Sequence, residues 1–303
     1  CPFAHFSAYG LKLKERKMYR LEPPDVGQLF HSVLKHIAEE AAKEGLDWGS
    51  LTKEQLRARA EEAVDLLSPK LQGEILLSSH RHHYISKKLK DVLGSAAVML
   101  GKHLSQGSFV PAGLELGFGP GEPLSPLEFT LPGDIKMEVV GRIDRVDKAL
   151  LEEGTFVRII DYKSGEKDLR LEEIYYGLSL QMITYLDVVL SSSRRWFGTE
   201  AEPAGGLYFR VHNPVLQVPH VLAPEKLEEM WMKSFRMKGL ITAEQKIAKE
   251  MDRSLETGRS SIIPVALNKN GEFRKGSSVA TRKQWDNLRR FVRNKIRRIG
   301  EEI

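Results

Sequence analysis

The sequence has a single cysteine, Cys1, among its 303 residues, so no disulfide can form within the chain. Its apolar runs are all shorter than the roughly 20 residues that a membrane-spanning helix needs. The first residues lack the pattern of a secretory signal peptide. We therefore expect a cytoplasmic protein. Internal repeats and low-complexity tracts are also missing, which argues against a repeat array.

The composition is that of an ordinary globular protein with a basic balance. Hydrophobic residues make up 41% and charged residues 29%, and the formal net charge is +5. A basic chain favours polyanionic partners, nucleic acid first among them. The last helical stretch is predicted over residues 281–299 and is rich in cations: Arg282, Lys283, Arg289, Arg290, Arg293, Lys295, Arg297 and Arg298. A solvated basic face and a phosphate-contacting face are both open interpretations of it.

The first third of the chain, residues 24–105, is predicted to be mainly helical. Pro23-Pro24-Asp25 is typical of a helix start, with Asp25 capping free amides. The apolar spacing then predicts a helix from Val26 to Lys43, which Gly45 ends. Two or more further helices are expected between Thr52 and Ser105.

From Phe109 onward the pattern changes to strands and helices in alternation. We predict strands over residues 114–118, 135–146, 156–162, 205–212 and 261–267, and helices over residues 171–190 and 224–254. Residues 148–154 form a suitable hairpin connection. Strands flanked by helices on both sides indicate an α/β core with a helical insertion.

Two apolar strands that each end in a carboxylate carry the predicted chemistry. Asp144 ends one and Asp161 the next, so pairing of the strands as a hairpin brings the two carboxylates together. Such a pair is repulsive unless a cation lies between the carboxylates, and hard oxygen ligands favour Mg²⁺ or Mn²⁺. Lys163, two residues after Asp161, points to the same side of its strand and can reach a water or phosphate oxygen. Phosphodiester hydrolysis needs these groups.

Asp-x-Lys alone is a weak pattern, since a turn-initiating Asp followed by a surface Lys gives the same sequence. The upstream Gly-x-Ile-Asp-Arg-x-Asp segment that ends at Asp147 makes the combination informative. Gln181 and Tyr185 share one face of the following helix, at the edge of an apolar stripe formed by Leu178, Met182, Leu186 and Val189. They are candidates for lining a strand-binding cleft.

Gly27 and His31 also share a helix face, in the first predicted helix. The glycine leaves room for a close approach, and His31 is a candidate for completing the metal site. An isolated histidine of this kind is more often a hydrogen-bonded core or surface residue.

Together these motifs resemble the RecB-like branch of the PD-(D/E)xK nucleases. The ordered set is Gly27-x-x-x-His31, Glu115, Gly141-x-Ile143-Asp144-Arg145-x-Asp147, Asp161-Tyr162-Lys163-Ser164-Gly165 and Gln181-x-x-x-Tyr185. Within that branch the likeness is greatest to the C-terminal nuclease domains of AddB-type helicase–nuclease subunits, and it covers essentially the whole chain. It implies one restriction-endonuclease-like domain over residues 1–303, with a mixed central sheet, a catalytic core at residues 108–190 and C-terminal strands and basic helix at residues 200–303.

The resemblance also implies roles for individual residues. His31, Asp144, Asp161 and the carbonyl of Tyr162 correspond to metal ligands, and Lys163 to the residue that orients or activates the attacking water. Gln181 and Tyr185 correspond to residues that position the substrate strand, and Glu115 matches a less certain acidic position. The implied function is trimming of broken DNA ends, as single strands, for recombinational repair beside an AddA-type helicase–nuclease subunit.

Two features depart from the family pattern. Ile143 replaces the proline that precedes the first aspartate, a change that suits the RecB branch. AddB-type domains also hold a 4Fe-4S cluster, which needs four thiolates. Cys1 resembles the leading cysteine of that site, while the other three are missing from this sequence. We therefore expect a piece of a longer protein in which the cluster cannot form from this chain alone.

Two other functions remain open from the sequence. One is a stand-alone RecB-like exonuclease. The other is a DNA-binding or scaffolding module whose nuclease site has decayed. The presence of every acidic and basic position in the motif set favours an active nuclease over the decayed module.

Overall fold

The computed structural model describes residues 2–13, 21–71, 75–216 and 222–302. Cys1, the residue that resembles a cluster ligand, lies outside these described residues. None of the helices in the described ranges is long and apolar enough to cross a membrane.

The described helices and strands alternate as an α/β protein. The helices are α1 (Pro2–His5), α2 (Pro23–Lys43), α3 (Lys53–Leu67), α4 (His80–Ser105), α5 (Leu171–Tyr175), α6 (Gln181–Phe197), α7 (Pro224–Ser234), α8 (Gln245–Met251) and α9 (Arg282–Glu302). The strands are β1 (Val110–Phe118), β2 (Leu127–Leu131), β3 (Ile135–Val139), β4 (Gly141–Leu151), β5 (Gly154–Lys163), β6 (Ala201–Arg210), β7 (Lys238–Thr242), β8 (Gly258–Arg259), β9 (Ala266–Leu267) and β10 (Val279–Ala280).

A six-stranded mixed sheet in the order β1-β4-β5-β6-β7-β10 forms the centre of the fold. The pairs β5–β6 and β7–β10 are parallel, and the other neighbours are antiparallel. Helices α2, α3 and α4 pack in one apolar cluster with Phe156 and Ile160 of β5. Helices α6 and α9 pack in a second cluster with Val157 and Ile159. The period of two along β5 thus gives the sheet two buried faces, and the restriction-endonuclease-like α/β architecture is confirmed.

The helical region before the sheet begins and ends with the predicted signals. Helix α2 starts at Pro23, three residues earlier than predicted, and the Asp25 carboxylate accepts a hydrogen bond of 2.9 Å from the Glu22 N–H. At its end Gly45 has φ +70°, and the N–H groups of Gly45 and Leu46 donate to the carbonyls of Ala42 and Ala41. This is a Schellman ending, which requires the left-handed conformation that glycine adopts at low cost.

The prediction of one strand over residues 135–146 is wrong. Strand β3 ends at Val139 and pairs with β2, an unpredicted strand, in a separate two-stranded sheet, while β4 begins at Gly141. A turn at Gly133 and Asp134, both with positive φ, joins β2 to β3. The apolar alternation continues through both β3 and β4, so it could not reveal the break. Beyond it, β4 and β5 form the predicted hairpin, but the connection shrinks to Glu152 and Glu153.

The helix predicted over residues 171–190 is also wrong as a single element. It divides into α5 and α6 around Gly177, whose φ is +79°. Leu178, predicted to lie on the core stripe, lies in this break and is 77% exposed. Met182, Leu186 and Val189 are buried as predicted.

The prediction of one helix over residues 224–254 is wrong too. The structure has helix α7, strand β7 and helix α8 in this range. A Cβ on Gly239 of β7 would lie 2.2 Å from the carbonyl oxygen of Gly206 on β6, so only glycine permits this pairing. The strand predicted over residues 261–267 reduces to β9, which pairs with β8 through two residues. Tertiary pairing therefore overrides the local pattern here.

One buried histidine lies beneath the sheet without a hydrogen bond among the described residues. His103 of α4 is 2% exposed, and its ring meets Phe209 edge-on with centroids 5.8 Å apart. Burial of the imidazole, together with the charges of Arg158 and Arg145, lowers the pKa of His103 to about 3. The ring is therefore neutral in the folded protein at neutral pH.

His103 predicts a specific loss of stability in acid. Because its folded pKa lies below the ordinary value of 6.5, the unfolded chain binds the proton first. His103 does not lower the free energy of unfolding above pH 6.5. Below that pH it lowers this free energy by about 1.4 kcal/mol for each pH unit. Urea unfolding from pH 7.5 to pH 5 should show His103→Leu losing less stability than the unsubstituted chain, by about 2 kcal/mol at pH 5. Parallel curves for the two proteins would contradict this.

Candidate metal and nucleic-acid site

The β4–β5 hairpin brings the two predicted aspartates together. Arg145 pairs with Ile160, and one further step of this register places Asp144 opposite Asp161. Asp144 Oδ2 accepts a hydrogen bond of 2.7 Å from the Tyr162 N–H. The two residues are 7% and 1% exposed, so both carboxylates are withdrawn from water.

Lys163 lies on the same side of β5 as Asp161, as its spacing predicts. Its Nζ lies 2.6 Å from Asp161 Oδ2, and its side chain is one-third exposed. Asp161 Oδ2 therefore has an ion-pair partner, whereas the buried Oδ1 accepts no hydrogen bond from the described residues. A buried carboxylate oxygen without a partner is costly in a finished interior and is typical of a position that takes a further ligand.

Glu115 and His31 approach the same point from β1 and α2. His31 Nδ1 lies 3.0 Å from Glu115 Oε1 and 3.2 Å from Asp144 Oδ1. Glu115 falls between the register pairs Leu114–Arg145 and Leu116–Ile143, which places it opposite Asp144. Its φ is +47°, an unusual backbone conformation for glutamate within a strand. Backbone strain of this kind concentrates at functional sites, and here it accompanies a carboxylate aimed at His31.

The ligand atoms of His31, Glu115 and Asp144 all lie within 4.8 Å of one another. One imidazole nitrogen and two carboxylate oxygens are a donor set that suits Mn²⁺ and Mg²⁺. Asp161 is the neighbour of Asp144 but is not a member of this three-residue group, and its carboxylate pairs with Lys163. Tyr162 contributes its N–H to Asp144, and its buried ring meets His31 edge-on with centroids 5.8 Å apart.

Electrostatics links these groups. Burial of His31 disfavours its charged form, but the hydrogen bonds and charges of Asp144 and Glu115 outweigh burial and raise the pKa of His31 to about 10. Burial, aided by the charge of Asp144 and opposed by Lys163, raises the pKa of Asp161 to about 6. The cationic imidazole and the lysine therefore offset a local excess of negative charge.

Gln181 and Tyr185 form a pair at the start of α6. Gln181 Nε2 donates to the Tyr185 hydroxyl at 2.8 Å, and the Tyr185 ring meets Phe118 edge-on at 5.8 Å. Burial raises the pKa of Tyr185, and the negative charges of Asp144, Asp161 and Glu115 add to the rise. Tyr185 therefore lies within electrostatic range of the three carboxylates.

A cleft of about 710 Å³ opens on the α2 side of the site. Gly27, His31, Glu115 and Arg142 are among the residues that line it. A Cβ on Gly27 would meet no described atom within 4 Å, so there is space beside this residue. Arg142, at the exposed start of β4, is a cation beside the cleft that the sequence interpretation did not single out, although it stands within the motif that ends at Asp147.

A buried ion triad supports the hairpin from the opposite face of the sheet. Asp147 accepts from Arg145 Nε at 2.5 Å and from Arg158 Nε at 2.9 Å, and all three side chains are at most 2% exposed. Arg158 was not singled out from the sequence. Its position between Val157 and Ile159 in an apolar strand was the available sign that it is buried. The triad fixes β4 against β5 and thereby the spacing of Asp144 and Asp161.

The basic C-terminal helix is partly committed to internal ion pairs. Asp187 of α6 is 2% exposed and binds Arg289 at 2.7 Å and Arg293 at 2.5 Å. Arg282 binds Glu244 at 2.7 Å. These arginines anchor α9 to its neighbours through ion pairs, so they are not part of a purely solvated basic face.

The chain belongs to the PD-(D/E)XK nuclease superfamily, whose sequence profile matches residues 1–302. More narrowly, it is similar to AddB proteins, which are named as subunits of an ATP-dependent helicase/deoxyribonuclease. It is 49% identical to the AddB protein of Bacillus licheniformis over 303 residues and 49% identical to that of Anoxybacillus flavithermus over 304 residues. The Bacillus subtilis protein is 48% identical over 303 residues. Each match covers 100% of this chain and 26% of the relative, so the chain spans about a quarter of their length.

The buried triad predicts a large cost for removing its shared anion. Asp147→Asn leaves two buried guanidinium groups without a counterion and should lower the free energy of unfolding by about 3–5 kcal/mol. Asp65→Asn is the matched control, because Asp65 pairs with Lys90 at 2.6 Å while 65% exposed, and such a pair contributes at most about 1 kcal/mol. Equal losses for the two variants in urea unfolding would refute the supporting role of the triad.

Proposed function

We propose that this chain is a metal-dependent DNA nuclease domain that hydrolyses phosphodiester bonds in single strands. The observation that carries the proposal is the meeting of His31, Glu115 and Asp144 with the buried Asp161 carboxylate, which pairs with Lys163 through Oδ2 and has no partner at Oδ1. Membership of the PD-(D/E)XK superfamily supports it. The region of residues 1–303 is proposed to act as a single nuclease domain.

His31, Asp144, Asp161 and the Tyr162 carbonyl are the proposed ligands of Mg²⁺ or Mn²⁺, with Glu115 as a further ligand. A bound divalent cation would neutralise charge on the scissile phosphate and lower the pKa of a water. The position of Glu115 supports its role as an additional ligand, since its carboxylate and that of Asp144 both contact His31 Nδ1. The buried carboxylates would attract the cation because its binding relieves their mutual repulsion.

Lys163 is proposed to orient the attacking water and to stabilise charge on the phosphate. Its ammonium is held at the site by Asp161 yet remains one-third exposed, so it can also reach a substrate oxygen. Gln181 and Tyr185 would position the strand: the amide retains donor capacity, and the tyrosine ring borders the acidic group. Each group acts by fixed position and charge, which are the main requirements of phosphoryl transfer.

The setting of this activity is proposed from the relatives. Their name, which describes a subunit of a helicase/deoxyribonuclease, supports a nuclease domain within a helicase–nuclease over a stand-alone exonuclease. We infer a role in processing double-strand DNA breaks for recombinational repair, with an AddA-type subunit as partner in the longer protein. An iron–sulfur cluster there would need three thiolates besides Cys1, since this sequence has one cysteine.

The first test is cleavage of labelled single-stranded DNA with Mg²⁺ or Mn²⁺. Lys163→Ala and Asp161→Ala should each lower the rate by at least about 100-fold, since the first removes a cation at the reacting phosphate and the second removes a proposed metal ligand. Lys148→Ala is the matched control, because Lys148 is an exposed lysine at the other end of β4 and should leave the rate unchanged. Metal-independent cleavage, or full activity in both site variants, would overturn the assignment.

A second test uses the pKa values of the site. Protons compete with the cation, because His31 (pKa about 10) and Asp161 (pKa about 6) must both lose their protons to coordinate it. Mn²⁺ affinity should therefore rise with pH between pH 5.5 and pH 8.5, and calorimetry in buffers of different ionisation enthalpy should detect proton release. The His31→Ala variant should release fewer protons. An affinity independent of pH would contradict these ligands.

A further inference from the structure

The break between α5 and α6 exposes an unusual group of large side chains. Tyr175 is 61% exposed, Tyr176 71% and Leu178 77%. Phe291 and Lys295 of α9 lie against them, and we call these five residues the tyrosine ledge. Such side chains are normally buried, so a contiguous exposed group of them is typical of a binding surface.

The ledge has the geometry of a stacking platform. The Tyr175 ring stacks on Phe291 with centroids 6.0 Å apart and an interplanar angle of 12°, and Tyr176 stands edge-on to Tyr175 at 5.2 Å. Lys295 Nζ lies 5.9 Å from the centroids of both stacked rings. The Tyr175 ring is therefore held on one side by Phe291, and the more exposed Tyr176 remains available to a ligand.

A cation of α9 reaches this surface beside Gly177. A Cβ at this position would lie 3.7 Å from the Lys295 Cγ and Cδ, so the lysine stem lies across the glycine. Lys295 has no ion pair among the residues that the structure describes. The two acidic residues of α5 are Glu173, which pairs with Lys167 at 2.7 Å, and the exposed Glu172. The ledge thus combines aromatic faces with an uncommitted positive charge.

The ledge is adjacent to the candidate site along the chain. Leu178 precedes Gln181 by three residues, so their Cα atoms lie within about 11 Å of each other. Gln181 donates a hydrogen bond to Tyr185, the second residue of the proposed strand-positioning pair. On the other side of the ledge, α5 follows the loop that begins after Lys163. A strand lying on the ledge is therefore within a few nucleotides of the site.

We propose that the tyrosine ledge binds single-stranded DNA next to the cleavage site by stacking bases on Tyr176 and Tyr175, with Lys295 meeting a phosphate. Single strands fit this surface better than duplex, because their unpaired bases offer free ring faces to aromatic side chains. Stacking of this kind tolerates any sequence. The proposal rests on the nuclease function proposed above and adds to it a subsite outside the catalytic residues.

The test measures binding without cleavage, so that the two proposals fail separately. Fluorescence anisotropy of a labelled oligothymidylate is recorded in EDTA, where the nuclease cannot act. Tyr176→Ala should weaken binding about tenfold, within the range of about 5- to 150-fold for the loss of one stacked base. Tyr176→Trp should restore it. The matched control is Tyr84→Ala, since Tyr84 is 61% exposed with Lys88 Nζ 5.5 Å from its ring centroid, and this variant should bind normally.

A cycle with modified DNA distinguishes stacking from an indirect structural effect. An abasic site is moved along the oligonucleotide one position at a time. The unsubstituted chain should lose affinity at one or two positions, and Tyr176→Ala should show no further loss at those positions. The proposal is overturned if the unsubstituted chain does not bind the oligonucleotide. It is equally overturned if Tyr176→Ala binds as tightly as Tyr84→Ala, which would indicate a protein-contact surface instead. Loss of metal-dependent cleavage with intact ledge binding would count against the nuclease function alone.

Discussion

The repulsion between two buried carboxylates, Asp144 and Asp161, governs the organisation of this protein around its site. The β4–β5 register forces them together in a place where water cannot screen them. His31 pairs with Asp144 and Glu115, which raise the pKa of its imidazole to about 10. Lys163 pairs with Asp161, and its Nζ lies 2.6 Å from the carboxylate. The arrangement is that of a site prepared for positive charge, in which the protein supplies two cations of its own.

The sheet keeps this strained arrangement in place through its other face. There, Asp147 is buried between Arg145 and Arg158, and each of its carboxylate oxygens accepts a hydrogen bond from a guanidinium group. Two strands therefore carry carboxylates on both faces, with opposite outcomes. On one face both oxygens of the Asp147 carboxylate are paired, and on the other face Asp161 Oδ1 has no hydrogen-bond partner among the described residues. Burial alone does not identify a site; the difference lies in whether the carboxylate oxygens are all paired.

The sequence predicted the parts of the site that depend on strand and helix periodicity. The adjacency of Asp144 and Asp161 followed from two strands in a hairpin, and the side shared by Asp161 and Lys163 followed from the period of two. His31 was a candidate from the helix face that it shares with Gly27, and the family resemblance added its role as a metal ligand. The approach of Glu115 depends on a backbone with φ +47°, which no apolar pattern signals. The sequence did not predict the break at Gly177, or the exposure of Tyr175 and Tyr176 beside it, because the helical period continues across it.

Anomalous X-ray scattering from crystals soaked in Mn²⁺ tests the central claim most directly. We expect one strong anomalous peak within coordination distance of His31, Asp144 and Asp161, with the Asp161 carboxylate turned from Lys163 toward the metal. Occupancy should disappear in Asp144→Asn. The absence of a peak at these residues, or a peak elsewhere with the Asp161–Lys163 pair intact, would contradict the claim that this carboxylate pair is a metal site.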